Sequence, residues 1–170
     1  MDHSANERQF RRWADDHTAL LHRIARAFAA PADQADLLQE LLLTLWRAIP
    51  RYRGDCAERT FVYRVAHNRA LTWAGREHGR RRREDETCKA LLSLPAAGDE
   101  GEAALLERLY GAIRRLPPID RSLILLALDG VPHREAGAFH GLSETAVGVR
   151  ISRAKTRLVA MTQTENGDEL

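Results

Sequence analysis

Residues 132–159 read PHREAGAFHGLSETAVGVRISRAKTRLV and contain signals for two helices separated by a tight turn. A short segment with helical spacing begins at Pro132, where the missing proline N–H costs nothing at a helix start. The tight turn His140-Gly141-Leu142 follows, and Ser143 then occupies the position that caps a new helix. A short helix, a turn containing glycine and a longer helix together predict a helix-turn-helix unit.

The longer helix, predicted from Glu144 to about Met161, combines an apolar side with a row of basic residues. Its basic residues are Arg150, Arg153, Lys155 and Arg157. The second helix of such a unit lies in the DNA major groove, and arginine pairs with phosphate and with guanine edges. The alternative is a solvated helix face, because cations are favoured near a helix C-terminus in any case. The pattern alone leaves both interpretations open.

The remainder of the chain also predicts helices. Apolar residues recur at helical spacing in five further segments, which run over 13–28, 37–49, 61–73, 105–113 and 119–128. Prolines separate several of these segments, and no segment alternates apolar and polar residues long enough to predict a strand. We therefore predict an all-α protein.

Charge is unevenly distributed, although the net charge is only +2. The first 83 residues carry +6, residues 84–110 carry −5, and the rest carries +1. The segment after residue 83 is rich in Pro, Gly and acids, which is typical of a flexible linker. We predict two small helical domains over 1–83 and 104–162, joined by a linker over 84–103 and followed by a polar tail over 163–170.

Composition argues against several classes of protein. No run of about 18 apolar residues predicts a membrane span, and the polar N-terminus lacks a signal peptide, so we expect a cytoplasmic protein. The sequence lacks the usual metal-hydrolase and phosphate-binding motifs. Cys56, His67 and Cys88 are the one candidate redox or metal set, and their spacing matches no usual zinc pattern. We expect no enzyme activity, no metal and no cofactor.

The helix-turn-helix stretch and its surroundings resemble a known family. Leu116-Pro117-Pro118-Ile119-Asp120-Arg121, Asp129-Gly130-Val131-Pro132-His133-Arg134-Glu135, Gly141-Leu142-Ser143 and the run from Arg150 to Leu158 are similar to region 4 of sigma-70 family factors. In that family, region 4 binds the promoter minus-35 element and touches the flap of RNA polymerase. The minus-35 residues that the resemblance implies are Ser143, Thr145, Arg150, Arg153 and Lys155.

The first predicted domain matches the same family independently. Residues 36–40 and 45–48 resemble the region 2 helix that docks on the polymerase clamp, and residues 51–54 with 59–68 resemble the minus-10 loop and its following helix. The implied polymerase-binding residues are Asp36, Leu37, Gln39 and Glu40. The implied minus-10 residues are Arg53, Arg59, Phe61, Arg64 and Asn68. The chain lacks the large intervening domain of housekeeping factors, which points to the extracytoplasmic-function (ECF) group.

Several positions depart from the family pattern. His67 stands where arginine is usual, and Gly148 stands where a basic residue is common. Glycine at position 148 removes one expected base-reading side chain and costs about 1 kcal/mol of helix propensity relative to alanine. Ala136-Gly137 replaces larger packing residues, which predicts a less rigid helix-turn-helix unit.

The resemblance implies an alternative sigma factor whose partners are core RNA polymerase, through its clamp and flap, and promoter DNA. An anti-sigma factor is a further candidate partner, because many relatives are held inactive by one. Two alternatives stay open. A sigma-like decoy would bind an anti-sigma factor without promoters, and its DNA-facing arginines would be dispensable. An ordinary helix-turn-helix regulator would leave the first domain without a role.

Overall fold

The computed structural model describes residues 3–84 and 101–164, and within these ranges the chain forms eight α-helices and no strand. The all-α prediction is confirmed. The helices are α1 (His3–Asp16), α2 (Thr18–Phe28), α3 (Gln34–Ala48), α4 (Glu58–Glu84), α5 (Glu102–Arg114), α6 (Pro118–Leu128), α7 (His133–His140) and α8 (Glu144–Thr164). Short 3-10 turns at Pro31–Asp33 and Ile49–Arg51 flank α3 at the two predicted proline breaks.

Helices α1 to α4 form the first helical group, in which α3 packs between α2 and α4. Leu37, Leu41 and Leu45 recur every fourth residue on α3 and are fully buried, as the apolar stripe predicts. Trp13 of α1 is also fully buried and closes one end of this core. Burying such side chains stabilises the group by about 1.5–3 kcal/mol each.

Helices α5 to α8 form the second helical group, and α6 lies at its centre. Four consecutive residues of α6, Leu123 to Leu126, are buried because neighbours surround the helix on all sides. It contacts α5, α7 and α8 within its own group, and α2 and α4 of the first group. A helix that is apolar all round is expected in such a position.

The helix-turn-helix unit is closed by two glycines and a serine cap. Gly141 ends α7 with a φ of 66°, a left-handed conformation that glycine adopts without strain. The backbone N–H of Ala146 donates to Ser143 Oγ at 3.2 Å, which confirms the predicted cap of α8. A Cβ on Gly137 would lie 2.5 Å from the Leu142 carbonyl oxygen, so the close approach of turn and helix requires glycine there. This close packing argues against a loss of rigidity at Gly137, and the lower rigidity expected from the Ala136-Gly137 pair stays a prediction.

The two helical groups pack directly against each other, through α2 and α4 on one side and α5 and α6 on the other. Buried apolar residues of both groups belong to one continuous cluster. The predicted linker 84–103 lies mostly outside the described residues, and α5 already begins at Glu102. The division into domains stays a prediction, and the contact between the groups was not anticipated from the sequence.

Candidate nucleic-acid interface

The residues that the sequence assigns to polymerase binding separate into an exposed set and a buried set on α3. Asp36 and Gln39 are exposed on the outer face of the helix. Leu43, one turn further on, is 45% exposed and extends this face with an apolar surface that the sequence analysis missed. Leu37 is fully buried in the core, which argues against a contact of its side chain with polymerase, and that contact stays a prediction. In this structure Leu37 packs α3 against its neighbours.

Glu40 is intermediate in exposure between the exposed set and the buried set. Its carboxylate is half-buried and forms an ion pair with Arg69 of α4. Arg69 is itself largely buried, and burial together with the nearby Arg76 lowers the pKa of its guanidinium. The pair joins α3 to α4, so Glu40 has a partner within the chain before any polymerase binds. Asp36, by contrast, is exposed on this face and can present its charge to a partner.

The loop before α4 rests on a cluster of aromatic rings. Tyr52 packs edge-on against Trp13 at 5.6 Å between ring centroids and lies 5.1 Å from the ring of Phe61. The Tyr52 hydroxyl donates to the carbonyl of Cys56 at 3.1 Å, which closes the loop. Arg53 is exposed at the outer side of this loop. The rings therefore hold the loop from below while its basic residue faces outward.

Arg64 and Asn68 lie one turn apart on α4 and are both exposed. The Arg64 guanidinium stacks over the ring of Phe61 at 5.7 Å. Phe61 is only 7% exposed and also contacts Trp13, so its ring supports the surface and has little area to offer a base. The burial of Phe61 favours a supporting role for its ring, and its direct contact with DNA stays a prediction. Arg64 and Asn68 remain together on an open helix face.

Arg59 and Thr60, in the first turn of α4, contact the second helical group. The Arg59 guanidinium donates to the backbone carbonyl of Asp129 at 2.9 Å and also lies over the ring of Tyr63. The Thr60 hydroxyl donates to the Glu135 carboxylate at 2.7 Å. Glu58, the residue before Arg59, forms an ion pair with Arg12 of α1 at 2.6 Å.

Arg150, a predicted minus-35 residue, folds back onto α6. Its Nε donates to the Asp120 carboxylate at 2.8 Å, and Arg157 lies 3.9 Å from the other oxygen of that carboxylate. The side chain of Asp120 is only 9% exposed, so the charge of Asp120 depends on these guanidinium groups. Arg150 thus fastens α8 to α6. A link between residues thirty positions apart is not visible in the sequence pattern.

The outer face of α8 is formed by other residues. Thr145, Val149 and Arg153 recur every fourth residue and are all exposed, opposite the buried Val147, Ile151 and Ala154. Lys155 is also exposed, on the flank of this face. Ser143 is exposed at the helix start, where its hydroxyl accepts the capping hydrogen bond.

His67 lies at the centre of the contact between the two groups. It is fully buried, and its Nδ1 lies 2.7 Å from Ser122 Oγ on α6, while His140 Nε2 lies 2.8 Å from the same oxygen. Because a hydroxyl has one proton, Ser122 donates to one ring and accepts an N–H from the other. Burial, with a smaller contribution from His140, lowers the pKa of His67 to about 3. Burial and then Arg150 lower the pKa of His140.

Acidification is therefore expected to destabilise the folded chain through His67. Its pKa is about 3 when folded, against 6.5 for an exposed histidine, so the unfolded chain binds the extra proton first. The stability that neutral His67 confers is present above pH 6.5 and is lost as the pH falls from 6.5 toward 3. Between pH 7 and 5 the expected loss is about 2 kcal/mol.

Urea unfolding at pH 7, 6 and 5 measures this effect, with His67→Gln as the matched variant that cannot titrate. His140 and His17 remain in both proteins, and their lowered pKa values contribute a slope of the same sign to each. The wild type should therefore lose more stability on acidification than the variant. Parallel curves for the two proteins would show that His67 is not buried as a neutral ring.

The candidate redox or metal set is not brought together. Cys56 is half-buried in the loop before α4, His67 is enclosed between the helical groups, and Cys88 lies outside the described residues. Across the described side chains, no three His, Cys, Asp or Glu residues are grouped so that they could hold a metal ion. None of the helices described is long and apolar enough to cross a membrane.

Two family models match the chain on either side of residues 82–105. The model for sigma-70 region 2 matches residues 13–81, and the model for sigma-70 region 4 matches residues 106–158. The first range contains α2, α3 and most of α4, and the second contains the helix-turn-helix unit. The helical groups thus correspond to the two promoter-recognition regions of a transcription initiation factor.

Comparisons over most of the chain also find RNA polymerase sigma factors as relatives. The RNA polymerase sigma factor CnrH of Cupriavidus metallidurans is 30% identical over 174 aligned positions, which cover 93% of this chain and 88% of that protein. The ECF RNA polymerase sigma factor SigM of Mycobacterium tuberculosis is 26% identical over 162 positions, which cover 94% of this chain and 78% of that protein.

Two solved structures share the fold. One is CnrH in complex with the cytosolic domain of CnrY, with a TM-score of 0.66, 24% identity and coverage of 95% of this chain and 92% of CnrH. The other is the sigma factor RpoE from Bartonella quintana in complex with the anti-sigma factor NepR. The comparison with RpoE gives a TM-score of 0.70 and 18% identity, and it covers 91% of this chain and 97% of RpoE.

The chain belongs to the sigma-70 family of RNA polymerase sigma factors, within its ECF group. It is an alternative sigma factor, which binds core RNA polymerase and directs transcription initiation at promoters.

Proposed function

We propose that this sigma factor acts through four separate surfaces, on α3, on α4, on α5 and on α8. The observation that carries the proposal is that Arg64, Asn68 and Arg153 stand exposed on helix faces opposite the core, while apolar residues of the same helices are buried. Exposed arginine and asparagine side chains at helical spacing suit phosphate and base contacts. A decoy without promoter function has no use for such a set.

The outer face of α3 is proposed as the clamp-binding surface, with Asp36 and Gln39 as its polar contacts and Leu43 as its apolar contact. A carboxylate on this face would pair with basic residues of the polymerase clamp. A second apolar surface lies on α5. It consists of three leucines that are not buried in the core: Leu105, Leu106 and Leu109 are 62%, 38% and 39% exposed. We assign this second apolar surface to the polymerase flap.

The minus-10 surface consists of the loop before α4 and the exposed face of that helix. Asn68 can both donate to and accept from a base edge, and Arg64 and Arg53 supply positive charge for the backbone of an unpaired strand. Phe61 and Tyr52 hold these groups in place from the core side. Arg59 is exposed at the start of this helix and adds positive charge, and its guanidinium also donates to the backbone carbonyl of Asp129.

The outer face of α8 is the proposed minus-35 reader, with Thr145, Val149 and Arg153 directed to the major groove and Lys155 to phosphate. We expect Arg153→Ala to weaken DNA binding and Arg150→Ala to lower stability instead, because the latter leaves the Asp120 carboxylate poorly paired. If Arg153 contacts phosphate, the slope of log binding constant against log salt concentration becomes shallower by about one on all sequences. If Arg153 contacts a base, the variant loses about 1–3 kcal/mol of binding free energy, and it does so on the preferred sequence alone.

Binding of both variants to matched and scrambled promoters over a salt series, with thermal unfolding of each, measures this difference. The two substitutions remove the same charge from the same helix, so each serves as the control of the other. Equal losses of DNA affinity with unchanged stability would contradict the assigned roles. No effect of Arg153→Ala on either property would remove α8 from the DNA interface and favour the decoy.

The proposal includes the cellular setting. The factor acts in the cytoplasm, where RNA polymerase works, and catalyses no reaction itself. An anti-sigma factor is proposed as a regulator, by analogy with RpoE of Bartonella quintana, whose solved complex contains the anti-sigma factor NepR.

A further inference from the structure

The side chain of His133, the first residue of α7, lies against Gly148 of α8. A Cβ on Gly148 would lie 3.6 Å from Nδ1 and 3.8 Å from Cε1 of the imidazole ring, which are ordinary van der Waals distances. His133 is exposed, and its side chain forms no hydrogen bond or ion pair with any residue in the described ranges. The ring therefore packs on α8 while its hydrogen-bonding capacity stays available to a ligand.

Position 148 belongs to the part of α8 that is expected to read bases. It lies in the second turn of the helix, and the N-terminal residues of a recognition helix are those that contact base edges. Ser152 and Lys155 follow it at i+4 and i+7, so the three positions lie along one side of α8, and both side chains are exposed. Gly148 thus begins a row whose first position has no side chain of its own.

We infer that His133 supplies the base-reading group that Gly148 lacks, so that one base contact in the minus-35 element comes from α7 instead of α8. An imidazole ring carries an N–H that donates a hydrogen bond. The major groove offers acceptors for it at N7 and O6 of guanine, N7 of adenine and O4 of thymine. His133 donates to one of these acceptors, beside the bases that Thr145 and Val149 face. The inference rests on the proposed minus-35 role of α8.

A purely structural role for His133 is the competing explanation, in which the ring only fills the gap between α7 and α8. The two explanations differ in what they require of the side chain. Packing requires a flat ring against Gly148, which His133→Phe retains. Base reading requires the ring N–H, which His133→Phe removes. The phenylalanine variant therefore separates the two roles of the ring.

Gly148→Arg tests whether the side chains at positions 133 and 148 share one place in the groove. A long basic side chain at position 148 has to pass the His133 ring, so it displaces the ring and takes over its contact. His133→Phe should then change DNA binding much less in the Gly148→Arg background than in the wild type, a coupling that a double-mutant cycle measures. Gly148→Ala is the matched control, because it adds only a Cβ at an ordinary contact distance and should leave base preference unchanged.

The experiment equilibrates the complex of the full chain and core polymerase with a pool of double-stranded DNA fragments of random sequence, and the bound fragments are sequenced. Enrichment at each position gives the base preferences. For His133→Phe we expect the preference at one base pair of the minus-35 element to fall by roughly five- to tenfold, the effect of one hydrogen bond, while the other positions keep theirs. Thermal unfolding of the free chains checks that each variant is folded. His133→Ala, which shortens an exposed side chain, gives the same comparison if phenylalanine disturbs the packing.

Unchanged base preferences in a folded His133 variant would overturn the inference and leave the ring a packing role. A uniform loss of affinity on all sequences would overturn it as well, because that is the effect of a phosphate contact. So would an equal effect of His133→Phe in the wild-type and Gly148→Arg backgrounds. Failure of the proposed function is recognised separately, because Arg153→Ala would then leave both affinity and base preference unchanged in the same experiment.

Discussion

Replacing Asp36 by arginine is expected to abolish binding to core RNA polymerase while leaving the fold intact. Asp36 is exposed on the outer face of α3, so the new side chain remains in solvent in the free chain. In the complex, the arginine side chain would repel the basic residues of the clamp that the Asp36 carboxylate attracts. Disrupting an interfacial charge pair of this kind costs about 2–5 kcal/mol of binding free energy. We therefore expect affinity to fall by about 30-fold to several thousand-fold, measured by fluorescence anisotropy of labelled factor titrated with core polymerase.

The matched control is Asp15→Arg, which makes the same charge change at an exposed position of α1. It should bind polymerase as the wild type does. Glu40→Arg would be a poor test, because it breaks the ion pair with Arg69 and so disturbs the packing of α3 on α4. Equal affinities for Asp36→Arg and the wild type, with unchanged circular dichroism, would contradict the assignment of this face to the clamp.

The double variant Arg64→Ala with Asn68→Ala is expected to bind polymerase normally and to fail in promoter opening. Both side chains are exposed on one face of α4, so their truncation leaves the core untouched. Each contact to an unpaired base or its backbone contributes about 1–3 kcal/mol. The loss of both contacts therefore lowers the equilibrium constant for forming the open complex by roughly 100-fold. Permanganate reactivity of unpaired thymines measures the open fraction directly.

Arg8→Ala, which removes one exposed positive charge from α1, controls for a general effect of charge. It should open promoters like the wild type. Normal thymine reactivity in the double variant would show that α4 does not hold the unpaired strand. Reduced polymerase binding by the double variant would instead place Arg64 and Asn68 on the polymerase side, and the minus-10 assignment would be wrong.

Local features of this fold were readable from the sequence. The leucine stripe of α3 predicts its buried face, and the turn at Gly141 followed by Ser143 predicts the end of α7 and the cap of α8. These features depend on residues within one or two helical turns of each other, where spacing and backbone preference decide the outcome. The resemblance to sigma-70 factors supplied the functional order of the segments.

Contacts between distant residues could not be predicted in the same way. Arg150 is indistinguishable from Arg153 by type and spacing, and only the packing of α8 on α6 brings it to Asp120. Glu40 similarly meets Arg69 because α3 lies against α4. The sequence marks His67 as a departure from the family, and the structure gives the departure a role, since its neutral ring fits a closed site beside Ser122.

Transcription by purified core RNA polymerase on a pool of random-sequence DNA fragments, with the RNA 5′ ends sequenced, tests whether this chain directs the polymerase to promoters. We expect discrete start sites that appear only when this chain is added, share sequence upstream, and disappear with Asp36→Arg. Start sites that are the same with core polymerase alone, with the wild type and with Asp36→Arg would contradict it.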